Sequence, residues 1–228
     1  MQYLAGSLVL LFIWFLIFFF NKSKVGREEM LKISLFTSLL GFTEPFFVPK
    51  YWNPPTLFDL AQKTRFDLES LIFAFAVGGI VAEIYELIWK GKHIKLTHIQ
   101  MQKKRHRFHK LALVSAPVSF LIFYILTPLN PIYSTFLAFL TGGLFTAYCR
   151  PDLIRKMVSS AFIFLGIYFL FFLFFNFLYP GYTQAIWNLK NLSNILIFNI
   201  PLEELLFAFG LGFMWSSLYE HFTWSKYE

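Results

Sequence analysis

Residues 200–220 read Ile-Pro-Leu-Glu-Glu-Leu-Leu-Phe-Ala-Phe-Gly-Leu-Gly-Phe-Met-Trp-Ser-Ser-Leu-Tyr-Glu, which places two adjacent carboxylates, Glu203 and Glu204, at the head of an apolar, aromatic stretch of helical length. The stretch has an earlier copy. Setting residues 67–86 on 201–220 at a constant offset pairs Leu68 with Leu202, Glu69 with Glu203, Leu71 with Leu205, Phe73 with Phe207, Ala74 with Ala208 and Phe75 with Phe209. Gly78 with Gly212, Tyr85 with Tyr219 and Glu86 with Glu220 complete a gap-free internal repeat, and the chain is organised around its two copies.

Working outward, the 228 residues are 57% hydrophobic and 14% charged and include 32 Phe. That is more apolar material than a soluble core of this size can hide, and it comes in long runs, as in an integral membrane protein. About 20 mostly apolar residues cross a bilayer core. Seven segments qualify, at 3–20, 31–48, 68–89, 111–126, 132–148, 157–178 and 195–222. The first has no basic residue ahead of it and no Ala-x-Ala site after it, so it reads as a retained anchor rather than a signal peptide. The single cysteine, Cys149, cannot make an internal disulfide and reads as a small buried residue.

The net charge of +7 is explained by placement. Basic loops stay cytoplasmic. Alternate loops collect Lys22, Lys24, Arg27, Lys32, eight Lys and Arg between Lys90 and Lys110, then Arg150, Arg155, Lys156 and Lys226, whereas the other side has Lys50, Lys63, Arg65 and Lys190. The N-terminus is therefore expected outside and the C-terminus in the cytoplasm. The basic segment 90–110, with His93, His98, His106 and His109 interleaved, reads as a topology determinant that also touches anionic lipid. No nucleic-acid partner is expected. No metal site is expected either, because no Cys or carboxylate accompanies these histidines in the sequence.

Two loops on the outer side mix Pro with Tyr and Trp, at 48–59 and 179–188, and both contain Trp-Asn, at Trp52-Asn53 and Trp187-Asn188. They extend the repeat upstream, so that segments one to three correspond to five to seven and segment four is the link. Three spans plus one link is an even number, which makes the repeat parallel. The expected fold is all-α, a polytopic bundle of seven transmembrane helices: residues 1–90 form the first three-helix repeat, 91–130 the basic loop and linking helix, and 131–228 the second repeat.

Ionisable groups inside a bilayer are costly and mark function by default. Glu44, Glu69 and Glu203 should lie in the outer half and could converge on one pocket, with Glu204 beside them. For Glu203 and Glu204 the competing reading is decoration of a helix start, since Pro201 suits the first turn and acids there complement the helix dipole. Apolar residues 195–198 upstream favour a deeper position. Glu83 is a further candidate, while Glu86 is accounted for by Lys90 four residues on, and Glu220 beside His221 reads as an inner-boundary pair. Helical spacing puts Phe207 one turn from Glu203 and Trp215 about three turns from Glu204. With Phe73, Trp52 and Trp187 these could line a pocket whose aromatic faces stabilise a cation, or pack between helices. Gly78 and Gly212 are assigned to close helix approach.

The motif Pro201-Leu-Glu-Glu204 followed by Leu-Leu-Phe, heading the last helix of a duplicated three-span unit, resembles the lycopene cyclase domain family of integral-membrane carotenoid cyclases. The resemblance implies halves of three spans each, as two subunits or fused into a seven-span chain. It also implies an isomerase that cyclises the end groups of lycopene or a related polyene without redox change and without cofactor. A buried acid from Glu203 and Glu204 would deliver a proton to a terminal double bond, Glu69 or Glu44 would serve as partner carboxylate or base, and Phe207 and Trp215 would shield the carbocation. The first copy, Asp67-Leu-Glu-Ser70, lacks both the proline and the second acid. In agreement with redox neutrality, there is no Gly-x-Gly-x-x-Gly fingerprint.

Other classes fit less well. A membrane prenyltransferase would hold diphosphate through magnesium and clustered aspartates, and Asp59, Asp67 and Asp152 are not clustered. A retinal-binding protein would need a lysine in the last segment, which has none between Asn194 and Ser225. A non-catalytic carotenoid- or lipid-binding or transport protein remains open.

Overall fold

The computed structural model describes residues 2–228. Helix α1 (Gln2–Phe20) is apolar on every side, and it ends before Ser23, whose hydroxyl accepts the Gly26 N–H and starts α2 (Lys24–Ser38). A 3-10 segment, Leu39–Thr43, and a single turn, α3 (Glu44–Phe47), continue the same rod. After an outer loop carrying α4 (Leu60–Thr64), Asp67 caps α5 (Leu68–Ile88) by accepting the Ser70 N–H at 2.6 Å. Strand β1 (His93–Lys95) and the turn α6 (His98–Met101) lead into α7 (His109–Leu126). Asn130 and Pro131 together start α8 (Pro131–Cys149), the amide side chain accepting the Ile132 N–H and the proline sitting where no N–H is needed. Helix α9 (Ile154–Leu178) is the longest of the described helices, and α10 (Tyr182–Ile186) lies in the loop after it. The chain ends with the hairpin β2 (Leu196–Ile197) and β3 (Ile200–Pro201), α11 (Leu202–Trp215), α12 (Leu218–Thr223) and β4 (Ser225–Tyr227).

Packing follows two trios. Helix α5 lies between α1 and α2, and α11 lies between α8 and α9; α7 flanks α8, and the trios meet through α5 against α9 and α11. Small residues set these approaches: a Cβ on Gly78 would stand 2.2 Å from Thr37 Oγ1, and one on Gly212 would stand 2.7 Å from Ala161 Cα. Both glycines therefore act as expected. Outward-facing side chains are large and apolar, on α1 at Leu8, Phe12, Phe15 and Phe19 and on α9 at Phe162, Leu170, Phe174 and Phe177. A surface of this kind is covered by lipid in a membrane protein.

Among the described residues, five helical stretches are long and apolar enough to cross a membrane, Gln2–Phe20, Leu68–Ile88, Lys104–Leu126, Pro131–Cys149 and Pro151–Leu178. The second and seventh expected segments are not continuous α-helices of that length. The second tightens to 3-10 geometry after Ser38, where a Cβ on Gly41 would strike the α5 backbone at 2.8 Å. The seventh begins as a hairpin and breaks again at Ser216-Ser217. The fold is thus mostly helical, with four short strands in two two-stranded sheets among the described residues. β1 pairs with β4, His93 opposite Tyr227, and fastens the basic loop to the C-terminal segment.

The loops that carry α4 and α10 pair with each other. Asn53 N–H donates to Ile186 carbonyl and Asn188 N–H to Tyr51 carbonyl, each at 2.9 Å, and the Trp52 and Trp187 rings lie 5.6 Å apart. The two Trp-Asn dipeptides form one reciprocal seam.

Candidate functional site

Beneath this seam lies a cavity of about 520 Å³, within the range of small-molecule sites. All six helices of the two trios and α7 contribute to its lining, which is overwhelmingly apolar and aromatic. Phe73, Phe207, Trp52, Trp187 and Trp215 all face it, so every aromatic candidate is at the cavity wall. Trp215 Nε1–H donates to Thr37 Oγ1 at 2.7 Å, fixing its indole at the wall. Lining residues Phe36, Leu40, Leu121 and Phe222 are also substantially exposed, so the cavity opens sideways, between the α2 rod and α7, through an apolar mouth.

Two carboxylates face this cavity, Glu44 and Glu204. Their surroundings differ. Glu204 Oε1 accepts from the Tyr51 hydroxyl and from Trp187 Nε1–H at 2.9 Å, while Oε2 accepts from the Tyr168 hydroxyl at 2.8 Å. Burial, and after it the Glu204 carboxylate, hold the Tyr51 phenol well above its ordinary range, so it stays a donor. Trp187 can only donate. Three donors on one buried carboxyl favour its ionised form against the cost of burial. Glu44 is 7% exposed, and its Oε1 has no hydrogen-bond partner. A carboxyl with a bare oxygen among aromatic rings is the environment of a neutral acid.

Glu69 and Glu203 are buried but do not line the cavity. Glu69 Oε1 accepts the Leu57 N–H at 2.7 Å and Glu203 Oε1 accepts the Ser193 N–H at 2.8 Å. Each thus ties its own outer loop to its own helix, and Glu203 also receives the Tyr133 hydroxyl at 2.5 Å. The expected convergence of Glu44, Glu69 and Glu203 on one pocket gives way to Glu44 with Glu204. At the first-copy position matching Glu204, Ser70 faces the cavity and meets the Tyr3 hydroxyl at 2.9 Å.

The remaining acids serve other ends. Glu83 accepts from Asn21 Nδ2 at 2.6 Å, away from the cavity. Glu86 does not pair with Lys90: Lys156 Nζ reaches it at 2.7 Å and also bonds Glu29 and Glu220, while His93 Nε2 lies 3.0 Å from Glu29 and 3.2 Å from Glu86. Glu220 accordingly belongs to this buried cluster rather than pairing with His221. Tyr51 and Tyr168 are site residues that sequence reading passed over. The signal was available, a lone hydroxyl ahead of the phenylalanine run 169–175 and a tyrosine directly before Trp52-Asn53.

No curated protein and no solved structure matches the chain. The family model described as lycopene cyclase matches residues 130–222. That span runs from the cap of α8 to α12 and contains Glu203, Glu204, Tyr168 and Trp187, and over it the chain is similar to the lycopene cyclase family.

Proposed function

We propose that the protein is a membrane-embedded isomerase that cyclises an end group of lycopene or a related polyene, redox-neutrally and without cofactor. The observation that carries this reading is the pairing of one carboxyl with an unpartnered oxygen and one triply hydrogen-bonded carboxyl on a single aromatic-walled cavity. Glu44 is the proton donor. Its proton goes to the terminal double bond, the neighbouring double bond closes the ring onto the resulting cation, and the positive charge moves to the ring carbon. Glu204, held as a carboxylate by Tyr51, Tyr168 and Trp187, stabilises that charge and takes up a ring proton, which leaves the ring alkene. Proton exchange between turnovers resets both carboxyls. Phe73, Phe207 and Trp215 exclude water from the cation and offer their faces to it. A polyene dissolved in the bilayer reaches the cavity through the apolar side mouth without crossing water.

The architecture belongs to the same reading. Seven segments cross the membrane as two parallel three-helix repeats joined by α7, the broken second and seventh segments lining the substrate cavity. The matching roles of Glu69 and Glu203 and the reciprocal Trp52 and Trp187 seam support the duplication. The basic end lies in the cytoplasm with the C-terminus, and the outer loops and N-terminus lie opposite.

Expression in a lycopene-accumulating host, followed by pigment analysis, tests the proposal. Cyclised product is expected from the wild type, and unaltered lycopene from Glu44→Gln and Glu204→Gln. Lycopene recovered unchanged but bound to the purified wild type would replace the cyclase by a carotenoid-binding protein.

A further inference from the structure

The basic end of the molecule holds a second cluster that cyclisation does not use. His106 lies on the 3-10 turn before α7, His109 opens α7, Cys149 closes α8 and His221 sits on α12. Packing of α7 on α8 brings these distant residues together. Ligand atoms of His109, Cys149 and His221 all lie within 4.8 Å of one another. Cys149 Sγ is 3.4 Å from His106 Nδ1 and 3.9 Å from His109 Nδ1. None of the four is more than 8% exposed.

Three features set this cluster apart from ordinary packing. His221 is 1% exposed, its Nδ1 is 3.4 Å from Thr146 Oγ1, and its Nε2 has no partner. An imidazole nitrogen buried without a bond is costly. One nitrogen held by an outer hydrogen bond with the other free is how a protein orients a metal-ligating histidine. The spacing also fits: zinc bonds of about 2.3 Å to sulfur and about 2.0–2.1 Å to nitrogen in a tetrahedron set sulfur and nitrogen about 3.5 Å apart, between the two distances found. Finally, Trp224 lies flat on the His109 ring at 3.7 Å and edge-on to His106 at 5.2 Å, fixing both imidazoles.

We propose that His109, Cys149 and His221 form the core of a tetrahedral site for a thiophilic divalent metal, zinc, and that His106, which lies outside this convergent trio but 3.4 Å from the Cys149 sulfur, closes onto the ion as fourth ligand. Binding replaces the S–H bond of Cys149 by a zinc–sulfur bond and releases that proton to solvent, while the three imidazoles bind as neutral ligands. Four protein ligands leave no open coordination position, so the ion is structural. It staples the start of α7, the end of α8 and α12. The absence of any carboxylate or cysteine near the histidines in sequence had argued against a metal here; the cysteine arrives through the fold.

The test uses the full chain purified in detergent from zinc-supplemented cells. One zinc per chain is expected by elemental analysis, with a lower melting temperature after chelation and recovery on adding zinc back. Cobalt substitution should give a thiolate-to-cobalt charge-transfer band that Cys149→Ser abolishes, and His221→Gln should weaken zinc affinity about tenfold or more. Glu86→Gln, in the neighbouring carboxylate cluster, should keep full zinc content. Wild type that takes up no zinc overturns the site, as does a cobalt form without the charge-transfer band or zinc content that survives Cys149→Ser. The chelation and refill arm needs no variant to fold.

Discussion

Glu203 and Glu204 are adjacent in the chain and serve different masters, because successive residues on a helix point about 100° apart. One of them can face the cavity and the other must turn aside. Glu203→Gln keeps an oxygen that can accept from Ser193 N–H, so it should leave pigment products unchanged and cost about 1 kcal/mol of stability, read as a melting shift in detergent. Glu204→Gln should abolish cyclisation. Tyr168→Phe removes one donor from the Glu204 carboxylate and should reduce the cyclised fraction without unfolding the protein, as judged by pigment ratio and gel filtration. The acidic pair and the aromatic set were legible from residue type and spacing. Which acid faces inward was not, because the first helical turn offers no periodicity from which to read its azimuth; Glu44 was legible as a candidate, but its place on the cavity with Glu204 depends on the 3-10 segment before it.

Among the elements, α5 and α11 are the axes of their trios, and glycine is what lets their neighbours approach. Gly212→Ala would press Cβ against the α9 backbone, with Ser160 carbonyl 2.8 Å away as well as Ala161 Cα, and backbone cannot yield as a side chain can. A loss of roughly 1–3 kcal/mol is expected. Gly78→Ala should cost a similar amount by displacing Thr37, whose hydroxyl holds Trp215, and so should also disturb the cavity wall. Gly166 meets nothing within 4 Å, and Gly166→Ala should be neutral or slightly stabilising. Thermal unfolding of the three variants separates them. Five of the seven expected segments are continuous helices because hydropathy alone decides them. The two that break do so for reasons outside hydropathy: the close contact of Gly41 with α5, and the Phe198-Asn199 turn, whose positive φ angles of 51° and 61° form a tight hairpin before Pro201.

For the whole molecule, the basic end is governed by charge. Lys156, 3% exposed, is shared by Glu29, Glu86 and Glu220, and His93 closes the cluster from the basic loop. Lys156→Met would leave three buried carboxylates together and should cost about 3–5 kcal/mol. His93 responds to pH in a definite sense. Burial alone would lower its pKa, but bonds to Glu220, Glu29 and Glu86 outweigh this and raise it from 6.5 to about 12. Its stabilisation is therefore complete below about pH 6.5 and is lost as pH rises toward 12. The gap in melting temperature between wild type and His93→Gln should be wide at about pH 5.5 and narrower at about pH 9. None of this cluster was legible from local sequence, since its members come from four helices and a loop.

That cluster also constrains the order in which the molecule closes. Glu29 and Glu86 belong to the first trio, and their buried cation, Lys156, arrives from the second with Glu220. A first half compacting alone would have to sequester two carboxylates against a single cation, His93 of the basic loop, which leaves one buried charge uncompensated. Its basic end must stay open and hydrated until α9 docks, so a mispaired or half-made bundle advertises itself by failing to seal.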